Sequence, residues 1–254
     1  MKTALTIAGS DPTGGAGIQA DLKVFHRFGV YGLSAISALT AQNTAGVFAV
    51  EAVGNNLLEA QLTTLINDLR PDAVKTGMLL SPENVAAVVK VIRAYDLRNI
   101  VIDPVIRSSS GAALIEEKAL EVLKRELLPL ATVITPNIAE AAALTGIPIA
   151  NERTMEAAAR TLKQLGPEVV VITGGHLEQD ATDLVYDGSA VHRVKGRKLP
   201  GEYHGTGCAF SAAVTALLAK GTPVLHAVEA AKEFMRAALA NAYTAGRGMR
   251  LLHV

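Results

Sequence analysis

The chain predicts an α/β protein with a mostly parallel central sheet between layers of helices. Three observations predict it. Short apolar runs rich in β-branched residues alternate with helical patterns along 254 residues. The run Val169-Val170-Val171-Ile172 has no polar alternation, as a parallel strand covered on both faces requires. Half of the residues are hydrophobic and 19% are charged, which suits a substantial core in one large domain spanning residues 1–254.

The strand candidates are Ala4 to Ala8, Leu33 to Leu39, Ala73 to Thr76, Ile100 to Asp103, Thr132 to Thr135 and Val169 to Thr173. A helix from Ile18 to Phe28 follows the first. Ser81-Pro82-Glu83 places a capping hydroxyl before a first-turn proline, and Val85, Val88, Val89 and Ile92 continue at helical spacing. Glu116 to Leu128 repeats that pattern, and Thr154 to Leu165 stops at Gly166-Pro167. Leu184–Tyr186 and Ala190–Val194 flank Asp187-Gly188 and read as a β-hairpin, an edge or flap near the site. Two helices close the chain, about 208–220 and 223–243, followed by a tail without a specific signal.

Basic and acidic residues number 24 each. Zero net charge argues against a general nucleic-acid binder and gives no sign of a membrane-surface protein. One cysteine excludes an intrachain disulfide and suits a reducing cytosol. Met1 to Ile7 is too short an apolar run for a signal peptide, and no stretch is apolar enough to span a bilayer.

His204-Gly205-Thr206-Gly207-Cys208 opens a long apolar helix pattern. Glycines let backbone approach a ligand, and the first amides of a helix lack partners at its positive end. Such a place holds an anion, usually phosphate. Cys208 sits where a thiolate is also stabilised, so the segment offers an anion cradle and a candidate base. In isolation it reads as a small buried hydrophobe. The first loop, Gly9 to Gly17, lies beyond the carboxyl end of a strand, where open parallel sheets bind ligands. Its Walker-A spacing lacks the lysine, and its dinucleotide-like spacing lacks the acid after the next strand.

Asp21, alone, reads as a solvated helix charge. Gln42 and Asn43 end the second strand; a carboxamide suits the edge of a nitrogen heteroaromatic ring, and a turn-forming pair is the alternative. Asp103 and Glu140 each follow a strand's carboxyl end and can hold Mg²⁺ through water. Asn137 lies one turn from Glu140 and also suits helix capping. Thr173-Gly174-Gly175 again suggests backbone near a ligand. There is no zinc-type His/Cys cluster and no GxSxG elbow.

These pieces occur together and in order. Ala4 to Asp11, Gly14 to Lys23, Thr40-Ala41-Gln42-Asn43-Thr44, Lys75-Thr76-Gly77-Met78, Asp103-Pro104-Val105, Ile134 to Ala141 and His204 to Cys208 resemble the hydroxymethylpyrimidine/phosphomethylpyrimidine kinases of thiamin synthesis, within the ribokinase-like superfamily. The resemblance implies a ribokinase-like three-layer α/β/α sandwich, a cytoplasmic homodimer, and ATP with Mg²⁺ as phosphoryl donor. The acceptors would be a small-molecule pyrimidine alcohol, 4-amino-5-hydroxymethyl-2-methylpyrimidine, and then its monophosphate. Gly9, Asp21, Gln42, Met78 and Val105 match the pyrimidine pocket. Asp103 and Glu140 match the metal side, and Asn137, Thr173 and Gly175 the nucleotide side. Gly205, Thr206, Gly207 and Cys208 match the anion hole, with cysteine where the sugar kinases carry an aspartate base.

Two departures stand out. Ser108-Ser109-Ser110-Gly111 replaces a common Ala-Lys-Ser-Gly, and Thr173-Gly174-Gly175 replaces Lys-Gly-Gly. Arg107 or Lys198 are candidates to supply the missing cation. The Thr-Gly-Gly form also resembles some pyridoxine/pyridoxal kinases, which are the nearest rival reading. A ligand-binding regulator without turnover is the non-enzymatic one.

Overall fold

A computed structural model describes residues 1–108, 111–174, 181–196 and 198–254. The β-branched runs form strands as expected. In chain order the elements are β1 (Thr3–Ser10), α1 (Gly17–Arg27), β2 (Tyr31–Asn43), β3 (Gly46–Ala52), α2 (Asn55–Asp68), β4 (Ala73–Thr76), α3 (Pro82–Ala94), β5 (Ile100–Ile102), α4 (Glu117–Val122), β6 (Val133–Ile134), α5 (Ile138–Thr145), α6 (Glu152–Gln164), β7 (Val169–Ile172), β8 (Asp183–Tyr186), β9 (Val191–Val194), β10 (Tyr203–His204), α7 (Thr206–Ala219), α8 (Val224–Ala240) and β11 (Arg250–Leu251).

Nine strands make one sheet in the order β3-β2-β1-β4-β5-β6-β7-β8-β9. From β2 to β7 every pairing is parallel, and β3, β8 and β9 are antiparallel additions at the two edges. Side chains alternate between faces with the strand period of two. Leu5, Ile7, Val74, Ile100, Ile102, Ile134, Val170 and Ile172 pack beneath α2 to α6. Ala4, Ala73, Val101, Val133 and Val171 pack beneath α1, α7 and α8. The result is the expected three-layer α/β/α sandwich, with all six parallel strands ending along one edge. Among the described residues no helix is long and apolar enough to cross a membrane.

The Ser81 hydroxyl accepts from Asn84 N at 3.2 Å, and Pro82 fills the first turn, as the sequence indicates. The helix expected over Glu116–Leu128 is broken. Pro129 has no N–H to donate to Arg125, and α4 gives way to a π turn over Leu123–Leu127 and a 3₁₀ turn over Leu128–Leu130. The predicted hairpin exists as β8–β9, but as an edge and not a flap. Tyr186, before its turn, pairs with Val170 near the start of β7, whereas Leu184 pairs with Ile172 at β7's end. The turn over residues 187–190 therefore sits at the edge of the sheet opposite the strand ends.

Candidate active site

The parallel strands deliver one loop each to a cleft of about 1260 Å³. Gly9, Gln42, Met78, Asp103, Val105, Asn137, Glu140, Thr173 and the Gly205–Cys208 segment all line it. Gly175 and Ser109 lie outside the described residues. The sequence-predicted residues thus converge from the ends of β1, β2, β4, β5, β6 and β7 and the start of α7, with one exception.

That exception is Asp21. It is fully buried in α1 and does not reach the cleft, and it is not a solvated helix charge either. Its Oδ2 accepts from Thr6 Oγ1 at 2.6 Å and pairs with Lys75 Nζ at 2.9 Å. Burial pushes the Asp21 carboxyl up, against the pull of Lys75 and Thr6. Lys75, equally buried, is held above its ordinary value because Asp21, Cys208 and Asp103 outweigh its desolvation. Its ammonium is 4.0 Å from Asp103 Oδ2. A buried ion pair thus lies directly behind the cleft floor, where it supports the groups facing substrate.

α7 begins at Gly205, whose φ is +77°. A Cβ there would collide with the Gly15 carbonyl oxygen, so only glycine lets the two loops close together. Ala209 N is the first amide of this turn to bond Gly205 O, at 2.9 Å, which leaves the preceding amides available to an anion. Ser211, one turn on, ties this helix to the sheet: its hydroxyl donates to Asp103 Oδ2 at 3.0 Å, with Gly207 O 2.8 Å away.

Cys208 is half-buried at the cleft, near the backbone amide of Gly17. The expected thiolate is not stabilised here. Burial pushes the thiol up to about 12, the Asp103 and Asp21 carboxylates push the same way, and Lys75 and Gly17 oppose them. The helix start does not overcome desolvation and two nearby carboxylates, so the resting cysteine is a neutral thiol.

Asn137 and Glu140 form a reciprocal capping box on α5: Glu140 N donates to Asn137 Oδ1 at 3.0 Å, and Asn137 N to Glu140 Oε2 at 2.9 Å. Burial, and then the Asp103 charge, push the Glu140 carboxyl up to about 8. The Asp103 charge thus opposes ionisation of Glu140, and a divalent cation held beside both would relieve that repulsion.

Gln42 and Asn43 divide the two roles weighed for them. Asn43 Oδ1 accepts from Ala45 N at 2.8 Å and makes the turn, while Gln42 faces the cleft. Asp11 organises the first loop by accepting from Thr13 N, Thr13 Oγ1 and Ala16 N at 2.8–2.9 Å. His204 Nε2 lies 2.8 Å from Asp11 Oδ2 and 3.0 Å from the Gln42 amide.

Sequence reasoning missed His204, Lys75 and the tail. Lys75 stands in the four-residue strand Ala-Val-Lys-Thr, and a lone lysine in an otherwise buried run was a usable signal. The tail is anything but unspecific. Met249 N donates to Thr44 O at 2.9 Å, and β11 pairs in parallel with β10 beside His204. Arg247, Gly248 and Met249 thereby join the cleft wall, as do Arg107 and Lys198.

Known proteins share this arrangement. Residues 11–253 match the family model described as phosphomethylpyrimidine kinase. A hydroxymethylpyrimidine/phosphomethylpyrimidine kinase of Rhizobium meliloti is 49% identical over 242 residues, covering 94% of this chain and 91% of that one. The thiamine biosynthesis bifunctional protein ThiED of Geobacter sulfurreducens is 46% identical over 246 residues, which are 96% of this chain and half of that longer protein. The ADP complex of Bacillus subtilis pyridoxal kinase superposes with a TM-score of 0.91 at 39% identity, covering 99% of this chain and 96% of the other. With its ribokinase-like sandwich and a match along nearly its whole length, the chain belongs to the phosphomethylpyrimidine kinase family.

Proposed function

We infer that this protein moves the γ-phosphoryl group of ATP to the hydroxymethyl group of 4-amino-5-hydroxymethyl-2-methylpyrimidine, and in a second turnover phosphorylates the monophosphate to the diphosphate, for thiamin synthesis. The observation that carries this reading is one cleft holding both the Gln42 carboxamide and the helix start with its unpaired amides and thiol. Family membership supports it, as does the activity in the name of the Rhizobium meliloti relative.

Gln42 pairs with the edge of the aminopyrimidine, and Gly9, Met78 and Val105 shape an apolar slot around the ring. Asp103 and Glu140 would hold Mg²⁺, which when bound supplies positive charge to the nucleotide phosphates. Asn137 and Thr173 face the nucleotide side, and Gly175 belongs with them in this reading. The amides of Gly205 to Cys208 hold the oxygens of the migrating group, where preorganised donors are most effective. Cys208, a neutral thiol at rest and therefore no base, orients the acceptor hydroxyl, whose proton passes late to an oxygen of the migrating phosphoryl group. Phosphoryl transfer relies chiefly on positioning and charge, so a thiol with a pKa of about 12 is adequate. For the second step Arg107, Lys198 and Arg247 offer cations at the cleft where lysines at positions 109 and 173 are lacking.

The chain acts as one domain, in the cytosol, as a homodimer. Support for the dimer is the edge strand β3, where Phe48 is 71% exposed, with exposed Leu39 on the paired stretch of β2. The likeness to a pyridoxal kinase keeps pyridoxal as the competing acceptor. ADP release with each alcohol, with products resolved by mass, tests the function. The pyrimidine gives first the monophosphate and then the diphosphate; absence of turnover with it removes this reading.

A further inference from the structure

A carboxamide has two opposite ends, and which end faces which neighbour decides what ligand edge it accepts. The amide nitrogen of Gln42 is placed 3.0 Å from His204 Nε2, and its oxygen 3.3 Å from Thr40 Oγ1. The proton on His204 decides whether that orientation is sustainable. His204 Nε2 is 2.8 Å from Asp11 Oδ2, a buried carboxylate. Burial alone would raise the Asp11 carboxyl, but hydrogen bonds from His204 and Thr13 outweigh it and hold it below its ordinary value, so it is ionised. Two lone pairs cannot face each other at that distance, so Nε2 carries the proton. The other ring nitrogen agrees: Nδ1 is buried without a partner, and a proton there would be an unsatisfied donor.

With Nε2 a donor, an amide nitrogen beside it sets donor against donor. A half-turn of the amide, which exchanges oxygen and nitrogen in place, removes the conflict. The Gln42 oxygen then shares the single His204 Nε2 proton with Asp11 Oδ2, and the Gln42 nitrogen donates toward Thr40 Oγ1. That hydroxyl has lone pairs to accept with, because its own proton goes to Ser10 O at 2.9 Å.

We propose that His204, held as the Nε2–H tautomer by Asp11, is a positioning residue that fixes the Gln42 amide and so sets acceptor specificity. Resting on the pyrimidine-kinase reading, this orders the ligand: the ring nitrogen lies toward Thr40 and the exocyclic amino group toward His204. An amide locked this way cannot turn to suit a ring that lacks the amino donor.

Two measurements test it. In wild-type protein carrying ¹⁵N-histidine, the His204 signals, assigned by their loss in His204→Gln, show a protonated Nε2 and a bare Nδ1. A proton on Nδ1 overturns the proposal, and this arm stands even if the pyrimidine proves not to be the substrate, in which case the functional reading alone fails. The second arm compares kcat/KM for the aminopyrimidine alcohol and its desamino analogue. Wild type prefers the amino compound about tenfold or more, the cost of an unpaired buried amide. His204→Phe narrows that ratio at least fivefold, through the KM of the amino compound and not the KM of ATP. His204→Gln, which keeps an N–H donor at similar reach, restores most of it. A His204→Phe protein that keeps the wild-type ratio, or loses kcat equally with both alcohols, overturns the assignment.

Discussion

In the proposed reaction Cys208 positions the acceptor hydroxyl, and its setting makes it a poor thiolate. A thiol with a pKa of about 12 is almost wholly protonated at neutral pH, and its thiolate fraction grows about tenfold per pH unit below that value. As the only cysteine, it gives a clean readout. Alkylation by iodoacetamide rises log-linearly from pH 7 to pH 10. A rate that levels off near pH 8 or 9 would mean an ordinary or activated thiol and would contradict the burial argument. Cys208→Ala lowers kcat about 100-fold, the scale of a misplaced reacting group, while the KM for ATP changes little. Steady-state kinetics check this; wild-type kcat in the variant excludes Cys208 from positioning the acceptor.

At the scale of elements, β4 and α1 are joined by the Lys75–Asp21 pair. Removing one partner of a buried pair strands the other, a loss of about 3–5 kcal/mol. Lys75→Met therefore destabilises strongly in denaturant melts, and adding Asp21→Asn recovers part of the loss. A change below about 1 kcal/mol in Lys75→Met would mean that Asp21 is already neutral in the folded protein.

The same elements show what was legible in the sequence. The parallel strands were readable because burial on both faces demands unbroken β-branched runs, as in β7. The capping of α3 and α5 was readable because Ser81, Asn137 and Glu140 act within one turn. β3 and α2 were not read: β3 is an edge strand with no buried residue, and α2 starts at Gly54 without a side-chain cap. Asp21 read locally as a solvated charge because α1 alone cannot show a lysine 54 residues away, and only the family resemblance placed it in the pocket. The tail was opaque for the same reason, since Thr44 positions it from the other end of the chain. The first loop and the anion-hole segment were legible because glycines there meet a local need of the backbone.

At the scale of the molecule, the cleft lies where six parallel strands end, and β3 leaves an apolar edge on the same sheet. In the proposed dimer this edge is the interface, so Phe48→Glu places a charge on it and leaves monomers in light scattering after size exclusion. An unchanged dimer moves the interface elsewhere. In the proposed function the cleft takes a nitrogen heterocycle that carries an amino group. The measurement that tests this most directly is a competition: one reaction with ATP, Mg²⁺ and equal concentrations of the aminopyrimidine alcohol and pyridoxal, with both phosphorylated products counted. Gln42 pairs fully only with the aminopyrimidine, so its product dominates about tenfold or more, and Gln42→Leu narrows the ratio. Predominant pyridoxal phosphate from the wild-type enzyme would contradict the account.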